Sequence, residues 1–177
     1  GMSKKLFLYA SREGQTRKIC ECMAEVCRIE GHDADVHALT EPKLSEILGR
    51  YDQVVIGASI HYGHFPQVLY RFIRENQQSL AVRSNAFFGV NLTARKSGKD
   101  TPHGSSYMRK FMRKSSWQPQ KLAVFAGALL YSRYTWYDRM MIRFIMQITG
   151  GPTDVSRDVE FTDWARVRST MQEWLKS

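Results

Sequence analysis

An α/β fold, one five-stranded parallel sheet with helices on both faces, is what this sequence predicts, and three observations carry the expectation. Short apolar runs alternate along the chain with amphipathic stretches of helical spacing. One of the runs, "YDQVVIGASI" at 51–60, is a continuous apolar run of the type buried in a parallel sheet. A polar turn with one glycine, "ASREGQT", joins the first run to the first helical stretch, as at many strand–helix junctions that hold a phosphate. Five strands in 177 residues suit the order 2-1-3-4-5 with right-handed crossovers.

Lys5–Ala10 is short and apolar and reads as the first strand. Residues 15–29 place Ile19, Met23, Val26 and Cys27 on one helical face, and Gly31 stops that helix. Ala34–Leu39 is a weak second strand, Pro42–Leu48 a short helix and 51–60 the third strand. Pro66 suits the first position of a helix carrying Val68, Leu69, Phe72 and Ile73 on one face. The fourth strand at 84–92 leads through a polar loop, Thr93–Ser105, to a basic helix at Ser106–Lys114. "KLAVFAGALL", 121–130, is the fifth strand, and "DWARVRSTMQEWLK" a final helix capped by Thr162 or Asp163. No composition break or internal repeat divides the chain, so residues 2–177 read as one domain.

Gly1-Met2 reads as a cloning remnant ahead of the native start. Lys4-Lys5 is not followed by a long apolar segment, so no signal peptide is expected, and Leu122–Tyr131 is too short to span a bilayer as a helix. Cys20, Cys22 and Cys27 lie in one predicted helix, which points to reduced, mostly buried thiols in a cytoplasmic protein. No ligand spacing suggests a metal. The net charge of +9 is concentrated in one segment: Thr93–Arg143 holds eleven basic residues against Asp100 and Asp138. The rest of the chain is balanced. Such an excess suits lipid headgroups, nucleic acid or a polyanionic substrate, or else a solvated face without a ligand.

In a sheet of this order ligands bind beyond the carboxyl ends of the strands, here the loops 11–16, 61–65 and 91–105. Ser11, Thr16 and the backbone N–H groups of Arg12, Glu13, Gly14 and Gln15 can ring a phosphate at a helix N-terminus, where the dipole favours an anion. The turn lacks the Lys-Ser/Thr pair of a Walker loop and the glycines of a dinucleotide turn. An ordinary capped turn is the plain alternative. Glu13 is awkward beside a phosphate, and Arg12 is placed to offset it.

"FLYASREGQTRKI" resembles the flavin-mononucleotide signature of flavodoxins, departing from it at Arg12, Glu13 and Cys20. "VVIGASIHYGHFP", "VNLTARK", "FAGALLYSRYTWYDRMMIRFIM" and "GGPTDVSRDVEFTDW" together resemble the menaquinone-dependent protoporphyrinogen oxidase family of bacteria, and the likeness runs from Lys5 to about Trp174. The resemblance implies a flavodoxin-like fold, FMN as cofactor and a role in haem biosynthesis. It also implies a long insertion in strand five, about Leu130–Arg157, with Asp158–Phe161 resuming the strand. The implied reaction oxidises protoporphyrinogen IX to protoporphyrin IX. Six electrons leave, most simply as three hydride transfers to the flavin with proton losses, and pass to a membrane quinone, menaquinone or ubiquinone. His61-Tyr62-Gly63 would then supply a stacking face, and Asn91-Leu92-Thr93-Ala94 the other wall and contacts to the pyrimidine edge. Arg95, Lys96, Arg109, Arg133 and Arg139 are candidates for the two propionates.

Within the implied insertion, Arg139, Arg143 and Gln147 form a stripe, with Tyr137, Met140, Met141, Phe144, Ile145 and Ile148 over most of the remaining surface. That pattern suits a helix lying on anionic lipid at the cytoplasmic face of the inner membrane. A buried helix or a contact between copies in a homo-oligomer are the alternatives. Two other classes compete for the whole chain. A flavodoxin-type electron shuttle, or a quinone reductase without porphyrinogen specificity, fits the turn, but classical flavodoxins are acidic. A nucleic-acid binder fits the charge alone, without any supporting motif, so no nucleic-acid partner is expected.

Overall fold

The computed structural model describes residues 3–176, so the reading of Gly1-Met2 lies outside them. Five strands, β1 (Lys4–Ala10), β2 (Asp33–Ala38), β3 (Gln53–Ser59), β4 (Ser84–Asn91) and β5 (Lys121–Ala126), form a parallel sheet in the order β2-β1-β3-β4-β5. This is the predicted topology. The register sets Ala10 beside Ala58 and Asn91 beside Ala126, so the strands end close together at one edge. Helices α1 (Gln15–Ile29) and α6 (Trp164–Lys176) pack on one face. Helices α2 (Leu44–Ile47), α3 (Gln67–Ala81) and α4 (Ser106–Lys114) pack on the other.

Alternation along the strands feeds both layers. Leu6, Leu8, Val54 and Ile56 join one core, while Phe7 and Val55 join the other. Phe87 of β4 stacks on Phe111 of α4 with centroids 4.0 Å apart, which locks the basic helix to the sheet. At Gly57 a side chain is forbidden: its carbon would lie 2.1 Å from the Phe88 ring on the neighbouring strand. Cys20 and Cys27 are buried, Cys22 is half-buried, and all three are free thiols.

Several boundaries differ from the sequence reading, each for a local reason. Pro66 sits just before α3 with ψ 151, in the extended region, so it caps the helix instead of opening it. Asp163 rather than Thr162 caps α6: its Oδ1 accepts from Arg166 N at 3.1 Å. The Thr162 hydroxyl donates instead to Ala126 O at 2.7 Å. The fifth strand ends at Ala126, with Gly127 N making the last ladder bond to Asn91 O (3.0 Å) before the chain turns away.

The chain then leaves the sheet at β6 (Ala128–Leu129), turns through Tyr131–Arg133, forms α5 (Trp136–Thr149) and returns as β7 (Val159–Glu160). Strand β7 pairs antiparallel with β6 and does not resume the fifth strand of the parallel sheet. The departure is thus an antiparallel excursion at the sheet's end, not an interruption of one strand. It has its own small core of Leu129, Tyr131 and Met146, and Tyr131 donates to Pro152 O at 2.7 Å. Among the described residues no helix is long and apolar enough to cross a membrane.

Candidate functional site

A cavity of about 270 Å³ opens at the carboxyl ends of β1, β3, β4 and β5 and is roofed by α5. It lies at the lower end of the ~300–1,000 Å³ usual for small-molecule clefts. The three predicted loops meet there. Ser11, Glu13, Gln15 and Thr16 line it from the first, His61, Tyr62 and Gly63 from the second, and Asn91, Leu92, Thr93, Arg95 and Lys96 from the third.

The phosphate turn is preformed. Ser11 Oγ accepts from Gly14 N at 2.9 Å, and Gly14 has φ +98, a left-handed conformation that favours glycine. Helix α1 begins at Gln15, so the first N–H groups of its opening turn lack intrahelical partners. Thr16 Oγ1 is fully buried and has no hydrogen-bond partner. A buried hydroxyl without a partner is costly, and a phosphate oxygen is the ligand this turn suits. Gln15 behaves differently from the expectation. Its side-chain amide donates to Thr162 Oγ1 (2.9 Å) and Glu160 Oε2 (3.0 Å), which leaves only its main chain for the phosphate. Glu13 lines the cavity, and burial raises its carboxyl above the usual range despite the Arg12 guanidinium.

The second loop is a tight turn in which His61 and His64 exchange both backbone hydrogen bonds. Its two central residues, Tyr62 (φ 48) and Gly63 (φ 82), are both left-handed, as this hairpin geometry requires. The Tyr62 hydroxyl donates to Asp138 Oδ1 at 2.6 Å. Desolvation and then that bond push the hydroxyl up to about 12, so it remains a donor at neutral pH. The same bond, with the nearby His61 and Arg12, holds Asp138 below the usual carboxylate range. Arg12 Nη2 lies 3.5 Å from Asp138 Oδ2, which commits Arg12 to the excursion and places it outside the cavity lining.

In the third loop Asn91 Oδ1 accepts from Ala94 N (2.8 Å) and Thr93 Oγ1 (3.0 Å), folding the chain sharply after β4. Ala94 is buried behind the wall and does not line the cavity. Asn91 Nδ2 and Arg95 Nη2 are both buried without partners, and both residues line the cavity. Together with Thr16 Oγ1 they give the cavity one unsatisfied polar group from its first loop and two from its third. A flavin mononucleotide fits that set. Its phosphate would take the hydroxyl and the helix N-terminus, and its carbonyl-bearing ring the Asn91 amide.

The five proposed propionate residues separate in space. Arg95 and Lys96 line the cavity, and Lys96 Nζ also reaches Thr149 O at the end of α5 (3.3 Å). Arg109 donates to His103 O on the exposed side of α4. Arg139 turns back to Tyr134 O (3.5 Å). Arg133 crosses to the phosphate turn and donates to Glu13 O. The sequence reading counted Asp138 only as a charge and not as a site residue, although Thr135-x-x-Asp138 is a helix-start pattern and Thr135 Oγ1 does accept from Asp138 N (3.2 Å). Ile142, Ile145 and Met146 of α5 also line the cavity, and only the folded excursion brings them there.

Comparison with known proteins agrees with the fold. The flavodoxin domain family matches residues 6–156. The protoporphyrinogen IX dehydrogenase [quinone] of Escherichia coli K12 is 44% identical over 173 residues, covering 96% of this chain and 93% of that protein. The Leishmania major protein of the same name is 43% identical over 166 residues, covering 93% of this chain and 71% of its own. Among solved structures, a short-chain flavodoxin associated with a bacterial microcompartment superposes with a TM-score of 0.59 at 10% identity, covering 99% and 98% of the two chains. Oxidised flavodoxin 1 of Bacillus cereus gives 0.52 at 14%, covering 98% of each. These two likenesses concern the fold. On sequence, the chain belongs to the protoporphyrinogen IX dehydrogenase (quinone) family, built on a flavodoxin domain.

Proposed function

We propose that this chain binds FMN in the cavity at the strand ends and oxidises protoporphyrinogen IX to protoporphyrin IX, passing the electrons to a membrane quinone. The observation that carries the reading is the set of partnerless buried groups, Thr16 Oγ1, Asn91 Nδ2 and Arg95 Nη2, on loops around one cavity. When bound, FMN supplies the two-electron chemistry. The protein holds its phosphate at Ser11–Thr16, orients its ring between the 61–63 and 91–94 loops, and shields it under Ile142, Ile145 and Met146.

The macrocycle loses six electrons and six protons, and three quinones take them up as quinols. A cavity of this size suits the flavin ring. The larger porphyrinogen would then lie across its mouth, with the exposed Lys96 the placed cation for a propionate, since Arg95 turns back to Leu92 O (2.7 Å). Arg109, Arg133 and Arg139 are directed elsewhere.

Helix α5 supports a peripheral contact with anionic lipid. Trp136, Met140, Phe144 and Ile148 recur every four residues along it and are 71%, 58%, 57% and 69% exposed. Its opposite side carries Asp138 and Met146 into the protein. A helix with one apolar face outward and cations beside it lies in a bilayer interface, where the quinone is found.

The test is anaerobic turnover of protoporphyrinogen IX with a menaquinone analogue, read as porphyrin fluorescence. Quinone-dependent fluorescence is expected from the FMN-loaded protein. Its absence, with flavin bound, overturns the enzymatic reading in favour of an electron carrier.

A further inference from the structure

We infer that Arg133 is the cationic ligand of the FMN phosphate, carried to the phosphate turn by the excursion. The inference rests on the FMN reading above and adds a residue from a distant part of the chain.

The cations in and beside the turn are already paired. A phosphate monoester brings up to two negative charges beside the Glu13 carboxyl. Arg12 is engaged by Asp138 (3.5 Å) and Glu13 (3.9 Å), Arg17 by Glu21 (3.7 Å), and Lys18 by Glu160 (2.9 Å). Among the described residues no carboxylate lies within 4.0 Å of Arg133.

Its position is built. Asp158 accepts from Ser132 N (3.0 Å) and Ser132 Oγ (2.6 Å), which fixes the short turn Tyr131–Arg133. Arg133 Nη1 then donates to Glu13 O, and a side-chain carbon built on Gly14 would come within 3.3 Å of it. One guanidinium N–H is spent on the turn's backbone; Arg133 is exposed and, like Arg12, outside the cavity lining, so its remaining donors would meet the phosphate at the turn's exposed side. The partnerless, fully buried Thr16 hydroxyl marks the same turn as a ligand site.

The test titrates FMN and riboflavin, which lacks the phosphate, into apoprotein by flavin fluorescence quenching. Wild type, Arg133→Gln and Arg133→Lys are compared at low and high salt. Arg133→Gln should weaken FMN about ten-fold, the scale of one charge-assisted hydrogen bond, and leave riboflavin within about two-fold. Its FMN affinity should also depend less on salt, and Arg133→Lys should restore part of the loss. Unchanged FMN affinity in Arg133→Gln overturns the inference. So does an equal loss for FMN and riboflavin, since Arg133 would then only brace the backbone. Wild-type protein that binds neither flavin overturns the FMN reading itself, and this inference with it.

Discussion

Inside the phosphate turn the hydrogen bond that shapes the backbone is local: Ser11 Oγ to Gly14 N spans three residues. The excursion from Ala128 to Glu160 is tied down by contacts that span more than a hundred. Arg133 meets Glu13 across 120 positions, and Gln15 meets Glu160 across 145. The turn can form as soon as β1 and α1 exist. The excursion has a sparse core of its own, and its placement depends on the finished sheet. The two are coupled, because Arg12, Glu13, Gln15 and Lys18 of the turn region are the residues the excursion grips. The candidate flavin site and the exposed helix α5 therefore share one set of contacts, and each prediction below separates or joins the two regions.

The largest effect is expected on the excursion's outer face. Phe144 and Ile148 are exposed and make no part of the core clusters. Replacing both with serine removes apolar area worth up to ~1.5–3 kcal/mol per side chain when buried in lipid. Partition onto vesicles containing anionic lipid, read by flotation, should fall about a hundred-fold. The Tm should stay nearly constant, since exposed substitutions shift stability by only about 0.5 kcal/mol. Unchanged flotation would mean that α5 faces something other than a bilayer, and a fall in Tm would mean that these side chains pack against the fold.

A smaller effect lies in the seam between the regions. Glu160 is held down to about 2 by Lys18, Trp164 and Gln15. A folded-state value below the ordinary 4.5 means that its contribution is fully present above that pH and is lost as pH falls towards 2. The pair is partly exposed, so ~0.2–1 kcal/mol is the appropriate scale. Glu160→Gln should melt slightly below wild type at neutral pH, and the gap should close between about pH 4.5 and pH 2. A gap that persists at pH 2 would assign the effect to packing and not to charge.

This contrast also explains how much the sequence disclosed. Strand β3 is buried along nearly its whole length, so its apolar run announced both its existence and its parallel pairing. The turn was legible because its geometry is set within six residues. The placement of Arg133 was not: in the sequence it is one of eleven cations in a basic segment, and the Ser132–Asp158 bonds fix the turn that sets it against Glu13 O. The return of the chain was misjudged for a related reason. "DVEF" has the same local character whether it extends a parallel sheet or pairs antiparallel with Ala128–Leu129, and the choice falls to contacts such as Phe161 N to Gly127 O (3.0 Å).

The smallest effect returns to the turn and to its one adverse charge. Burial raises the Glu13 carboxyl above its ordinary 4.5, so its favourable contribution exists at low pH and is lost as pH rises through the folded value. At neutral pH the ionised carboxylate is then a net cost, partly offset by Arg12 and Arg133. Glu13→Gln keeps the shape and removes the charge. The variant should melt above wild type at neutral pH and converge with it below about pH 4.5. The same change should tighten FMN a few-fold at low salt, the scale of a partly screened like-charge contact, and leave riboflavin unaffected. If FMN instead binds more weakly to Glu13→Gln, the carboxyl is a working ligand of the flavin. The Arg133–Glu13 contact would then have to be reassigned from neutralising a phosphate to positioning that carboxyl.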